Sequence, residues 1–254
     1  MHSTFFLLAI AALTILALVG CTNNIKVIKS LQVLTLDLSS ISISSVFPEI
    51  SSELSSIPDY IKIGLMGYCT PDTCVKKDFA KFNIETVLIE AVLANNNLTD
   101  IATSAVSVVL PTKYTDYVND INKIVDVFSI LLAVWFCLAI IGFAFVVVKI
   151  CLDLRLFFFI SSFCKGVCFS LGIACTILAT VGLLFAKREF NSNSSDDLGM
   201  TLAVGKAFLG LLWAAVFCSV LDAIISLVIR ITFRRRRRET IEEPITYNLS
   251  LIHI

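Results

Sequence analysis

Phe128–Val148 reads FSILLAVWFCLAIIGFAFVVV, a run without a single charge. Crossing a hydrocarbon core of about 30 Å takes about 20 predominantly apolar residues in a helix, because lipid offers no hydrogen-bond partner to the backbone. This run therefore reads as a membrane span. Gly166–Ala186 and Ala207–Ile229 pass the same test, the latter with Asp222 as its one acid. Phe5–Gly20 is apolar but short, and reads as a first transmembrane helix or as a signal peptide. No Lys or Arg precedes it, which favours the retained helix. Leu18-Val19-Gly20-Cys21 also matches a bacterial lipoprotein cleavage box, but three further spans argue against that reading.

The whole chain agrees. Its 57% hydrophobic content and mean hydropathy of +0.89 exceed the roughly 45 to 50% of soluble domains. Lys and Arg near span ends mark the cytosolic side. Lys149, Arg155 and Lys165 flank the loop between the second and third spans, and Arg230 follows the last one. Residues 21–127 and 187–206 then face outward, although Lys187 and Arg188 run mildly against the rule. The expected architecture is an all-α membrane four-helix bundle with a small β-containing domain in its first outer loop. Its segments are the first helix 1–20, the outer domain 21–127, a span 128–148, the cytosolic loop 149–165, a span 166–186, a short outer loop 187–206, a span 207–229 and the basic tail 230–254. Asn97-Leu98-Thr99 and Asn193-Ser194-Ser195 place glycan acceptors Asn97 and Asn193 on the outer side.

Net charge is zero, but Arg234, Arg235, Arg236, Arg237 and Arg238 are consecutive just past the last span. Such a run either anchors topology or binds the anionic cytosolic leaflet, each Arg contributing about 1 kcal/mol near the surface. No folded basic surface surrounds it, so no nucleic-acid partner is expected.

In the outer domain, Ile25–Val46 alternates apolar with polar residues, as in Leu34-Thr35-Leu36-Asp37-Leu38 and Ile41-Ser42-Ile43, which predicts strands. Tyr60–Met66 has the same character. Phe79–Ala94 carries Phe82, Val87, Ile89, Val92 and Leu93 at helical spacing; a further helix capped by Thr99 would end before Pro111, and Tyr114–Ile124 leads as helix into the second span. Between these elements lies Gly64-Leu65-Met66-Gly67-Tyr68-Cys69, followed by Cys74. The pair Cys69 and Cys74 falls on the non-cytosolic side, where a disulfide can persist.

Four spans, a large first outer loop and Gly-apolar-apolar-Gly-x-Cys with a second Cys resemble the fungal claudin-related proteins. The likeness is greatest to the pheromone-induced Fig family of calcium-influx regulators and membrane-fusion proteins. Claudins and PalI-related proteins usually carry Trp where this chain has Met66, which favours the Fig-like branch. The resemblance implies a claudin-like fold and a non-enzymatic, multi-pass protein of the fungal plasma membrane. It would regulate calcium influx and support fusion of mating cells, with a calcium channel or an opposing-cell membrane protein as partner, or a second copy of itself. The rivals are a PalI-like or eisosome-like scaffold or sensor, and a channel or transporter subunit. A Cys69–Cys74 disulfide would staple a turn; Leu65, Met66 and Tyr68 would either stay structural or present a contact surface.

Cys137, Cys168, Cys175 and Cys218 lie in spans, where packing is expected. Cys151 and Cys164 sit near the cytosolic interface as palmitoylation candidates. Cys21 is left over, free or lost with a signal peptide. Asp222 is expensive in a membrane, and Ser219 and Ser226 one turn away are its expected hydrogen-bond partners. Gly166, Ser170 and Ala174 form a small-residue stripe expected in the bundle core. His2 and His253 are both terminal, so no metal site is expected, and no cofactor loop, nucleophile–base pair or paired carboxylate is legible.

Overall fold

A computed structural model describes residues 2–40, 57–77, 83–95, 112–152, 155–194 and 199–250. The chain runs α1 (His2–Val19), α2 (Lys26–Lys29), β1 (Leu34–Asp37), β2 (Tyr60–Ile63), β3 (Gly67–Cys69) and β4 (Cys74–Lys76). It continues through α3 (Ile84–Asn95), α4 (Thr112–Leu152), α5 (Arg155–Ser194), β5 (Thr201–Val204) and α6 (Lys206–Ser250). Three helices are long and apolar enough to cross a membrane, over Val118–Val148, Ile160–Ser192 and Lys206–Ile229. The apolar stretch of α1, Thr4–Val19, is shorter. It packs against α4 and α6, and α5 packs against the same two helices. Leu132, Trp135, Ala139, Cys175, Ala179, Leu212 and Ala215 fill the space between helices, while Val134, Ile140, Ile141, Phe185 and Phe217 remain exposed on the outer faces. That inversion suits a solvent of lipid tails.

The sheet is antiparallel throughout, in the order β4-β3-β2-β1-β5. Four strands come from the segment between α1 and α3, but the fifth comes from the short stretch before α6. Leu34, Leu36, Ile61, Ile63, Tyr68 and Leu202 share one buried face by register, whereas Thr35, Asp37, Lys62, Cys69 and Cys74 share the other. The free edge of β5 is completed by a side chain: Asn191 Nδ2 donates to the Leu202 carbonyl at 3.0 Å, and Leu202 N–H donates to Asn191 Oδ1 at 2.7 Å. The last turns of α5 thus tie the sheet to the helices. Helix α3 is capped by Asn83, whose Oδ1 accepts from Glu85 N–H at 2.9 Å, and Asn122 Oδ1 on α4 accepts from Ile84 N–H at 3.2 Å.

Several expectations need correcting. The alternation over Ile25–Val46 yields a strand only at Leu34–Asp37, because Lys26–Lys29 closes into a helical turn; Ile41–Ile43 and Thr99 lie outside the described residues. The loop assigned to 149–165 is largely helix, with α4 running to Leu152 and α5 starting at Arg155. The tail is helical through Ser250. Gly166, Ser170 and Ala174 are exposed on the outside of α5 instead of in the core.

The close approach on α5 occurs at Gly172, where an added Cβ would stand 2.6 Å from the fully buried Trp135 ring. An added Cβ on Gly166 would meet nothing within 4 Å. Gly172→Ala should therefore force the indole aside and cost about 1 to 3 kcal/mol, while Gly166→Ala stays within about 0.5 kcal/mol of the parent. Detergent-solubilised unfolding curves of the two variants check this, and equal curves would contradict it.

Candidate functional site

Thr70-Pro71-Asp72-Thr73 turns β3 into β4. Proline presets the backbone for the first corner, Thr70 N–H donates to the Thr73 carbonyl at 2.8 Å, and Thr73 N–H donates to Thr70 Oγ1 at 3.1 Å. The next pair outward is Cys69 opposite Cys74, with Cα atoms 4.0 Å apart and their sulfurs bonded. The disulfide crosses a two-stranded ribbon at directly facing positions. It closes a short loop, so its effect is to hold the hairpin's local shape.

The motif before it makes a seat for the end of α1. A Cβ on Gly64 would stand 2.1 Å from the Gly20 carbonyl oxygen, and one on Gly67 would stand 2.7 Å from the Cys21 carbonyl oxygen and 2.5 Å from that of Val75. Only glycine lets backbone approach backbone this closely. Gly20 is itself pressed on the Leu31 carbonyl, at 2.1 Å from an added Cβ. Cys21 adopts a left-handed backbone with φ of 60°, donates its N–H to the Ile28 carbonyl at 3.1 Å, and places its own carbonyl 3.6 Å from Cys69 Sγ. The motif is a clamp around the exit of the first helix.

Burial follows from this seat. Leu65, Tyr68 and Cys69 are buried and Met66 is half-buried, so the motif presents no exposed aromatic surface, contrary to the contact role weighed for Leu65, Met66 and Tyr68. The Tyr68 hydroxyl points to Glu90 Oε2 on α3 at 3.4 Å, and Glu90 is ion-paired with Lys77 just past β4. Burial, followed by the Glu90 charge and its hydrogen bond, pushes the Tyr68 hydroxyl pKa up, so it stays a donor. The Cys21 thiol is free and buried, and burial outweighs nearby Lys62 and Lys29 to push its pKa up to about 12. Such a thiol is inert as a nucleophile.

The predicted pieces divide as follows. Gly64, Leu65, Met66, Gly67, Tyr68, Cys69 and Cys74 come together, and Gly20, Cys21, Lys77 and Glu90 join them. Sequence reasoning missed these four; Gly20-Cys21 was visible only as a cleavage-box match, while Lys77 and Glu90 carried no pattern. Asp222 stands apart, deep in α6. Its Oδ2 lies 3.3 Å from Lys165 Nζ on α5, and Ser219 donates instead to the Ala215 carbonyl at 3.0 Å. The expected serine partnership gives way to an interhelical ion pair, since a cation offsets more of a buried charge than a hydroxyl does. Cys168 and Cys175 are buried, Cys164 and Cys218 are half-buried, and Cys137 is exposed on an outer face. Asn97 and the side chains of Asn193, Cys151 and Arg234–Arg238 lie outside the described residues. No group of three or more His, Cys, Asp or Glu that could hold a metal occurs among the described residues.

Two outcomes are expected. Gly64→Ala should lift the Gly20–Cys21 segment and raise Cys21 labelling by maleimide roughly tenfold. The parent's slow labelling should keep climbing with pH beyond about 10, whereas a displaced thiol of ordinary pKa, half ionised near pH 9, levels off at about pH 10. Unchanged labelling in Gly64→Ala would contradict the clamp. Separately, Asp222→Asn should destabilise the detergent-solubilised protein by about 2 kcal/mol because the interhelical Lys165–Asp222 pair is removed, and an unchanged unfolding curve would contradict this.

The family model described as SUR7/PalI family matches residues 1–225. Protein PUN1 of Saccharomyces cerevisiae is 28% identical over 233 residues, covering 88% of each chain. No solved structure matches. The match takes in α1, the clamp, two of the long apolar helices and the third as far as residue 225, and this chain belongs to the SUR7/PalI family.

Proposed function

We propose that this protein is a non-enzymatic, four-span scaffold of the plasma membrane, in which α1 is the fourth membrane helix and the sheet lies outside the cell. The observation that carries the reading is the closure of the glycine–cysteine motif on the chain's own Gly20–Cys21. A motif consumed internally rigidifies a membrane unit; it does not offer a loop to a second cell. Membership of the SUR7/PalI family supports the same reading. Arg234–Arg238 then hold the cytosolic end against anionic lipid and bias the protein toward particular membrane regions.

A second reading, in which the protein regulates calcium influx and membrane fusion during mating, is favoured by Met66 at the position where PalI relatives usually carry Trp. Partners for either role, a calcium channel or an opposing-cell protein in one and further copies of the chain in the other, follow from the reading chosen.

Imaging of the fluorescently tagged full chain in its native host separates the two. The scaffold account expects immobile cortical patches without pheromone, and patches that disperse when Arg234–Arg238 are replaced by Gln. Pheromone-restricted expression, with calcium uptake and cell fusion lost on deletion, would overturn the scaffold in favour of the mating role.

A further inference from the structure

Among the described residues, the exposed large hydrophobic side chains belong to α1, α4, α5 or α6, with two exceptions. Ile25 and Val27 are 54% and 65% exposed in the finger 22–30 that follows α1. The finger has a fixed shape. Thr22 N–H donates to the Val19 carbonyl at 3.3 Å, Cys21 N–H donates to Ile28, and Lys29 Nζ donates to the Pro71 carbonyl at 2.6 Å on the disulfide hairpin. Ile28 turns partly inward, while Ile25, Lys26 and Val27 point away from the fold.

Its height relative to the helices is fixed too. Gly20 presses on Leu31, and two residues further on the Val33 carbonyl accepts from Gly205 N–H at 2.9 Å, directly before α6 begins at Lys206. The finger therefore leaves α1 at the level where α6 enters its apolar stretch. Thr4–Val19 rises about 24 Å, short of a hydrocarbon core of about 30 Å. The exposed apolar side of α1, with Phe5, Leu8, Ile15 and Leu16, thus ends early, and Ile25 and Val27 are the next exposed large apolar side chains along the chain.

We propose that the finger is an interfacial lipid anchor, with Ile25 and Val27 entering the acyl–headgroup boundary of the outer leaflet and Lys26 meeting lipid phosphates. Apolar side chains next to a lysine at this depth match the chemistry of the boundary, and their insertion offsets the shortness of α1. The inference rests on reading α1 as a membrane helix.

Its test uses the purified full-length chain in phosphatidylcholine liposomes containing phosphatidylserine, with Val27→Cys, Ser39→Cys and Leu8→Cys variants and a membrane-impermeant maleimide. All three sites are exposed on the protein, so packing does not distinguish them. Val27→Cys should react roughly fivefold or more slowly than Ser39→Cys, and a fluorophore at residue 27 should be quenched by lipid carrying a nitroxide near its headgroup. Reaction less than about fivefold slower, or absence of quenching, overturns the anchor. Slow reaction in cells but fast reaction in liposomes assigns the surface to a protein and also overturns it. Fast labelling at Leu8→Cys would instead sink the membrane-helix reading of α1, so the two failures are distinguishable.

Discussion

Backbone meets backbone where α1 leaves the helices. Gly20 and Cys21 lie against Gly64 and Gly67 with no room for a Cβ on either glycine. An apolar helix and a sheet have little to hold them together by default, since neither offers the other a regular hydrogen-bonding edge. Here the joint is made of main-chain atoms, so side-chain rotation cannot loosen it. The Cys69–Cys74 disulfide fixes the hairpin that forms one wall, and the Tyr68–Glu90–Lys77 contacts fix the opposite face against α3.

Further ties keep the sheet in place over the helices. β5 adds the residues before α6 to the sheet edge, Asn191 locks that edge to the end of α5, and Asn122 links α4 to α3. Each long helix is thus joined to the sheet or to α3 near one end. At the other end of the apolar helices, the Lys165–Asp222 pair joins α5 to α6. The molecule is held at the top by hydrogen bonds and covalent bonds, and lower down by packing around Trp135 and one ion pair.

The sequence makes some of this legible and hides the rest for physical reasons. The long helices are visible because lipid demands unbroken apolar runs, a requirement that needs no tertiary information. The alternation at Leu34–Asp37 and Tyr60–Ile63 shows strands for the same local reason. β5 is hidden because Thr201–Val204 is a short apolar stretch that merges with the run beginning at Ala207. The partner of Gly64 lies at the end of α1, and proximity in space leaves no mark in spacing along the chain. Asp222 invited a serine partner because serines lay one turn away, yet the charge on Lys165 came from another helix. The stripe Gly166, Ser170, Ala174 has one period whether it faces neighbours or lipid, so its outward placement could not be read. The SUR7/PalI match spans residues 1–225, whereas the Fig-like resemblance turns on the single side chain of Met66.

The clamp requires that α1 stay on the mature protein, because a chain cut after Gly20 would remove the Gly20 carbonyl that packs on Gly64 and put a new terminus at Cys21. Intact-mass analysis of the protein purified from its native membrane, with sequencing of its N-terminal peptide, tests this most directly. The account expects a mature chain that still contains residues 2–21. A mature N-terminus at Cys21 or beyond would contradict it.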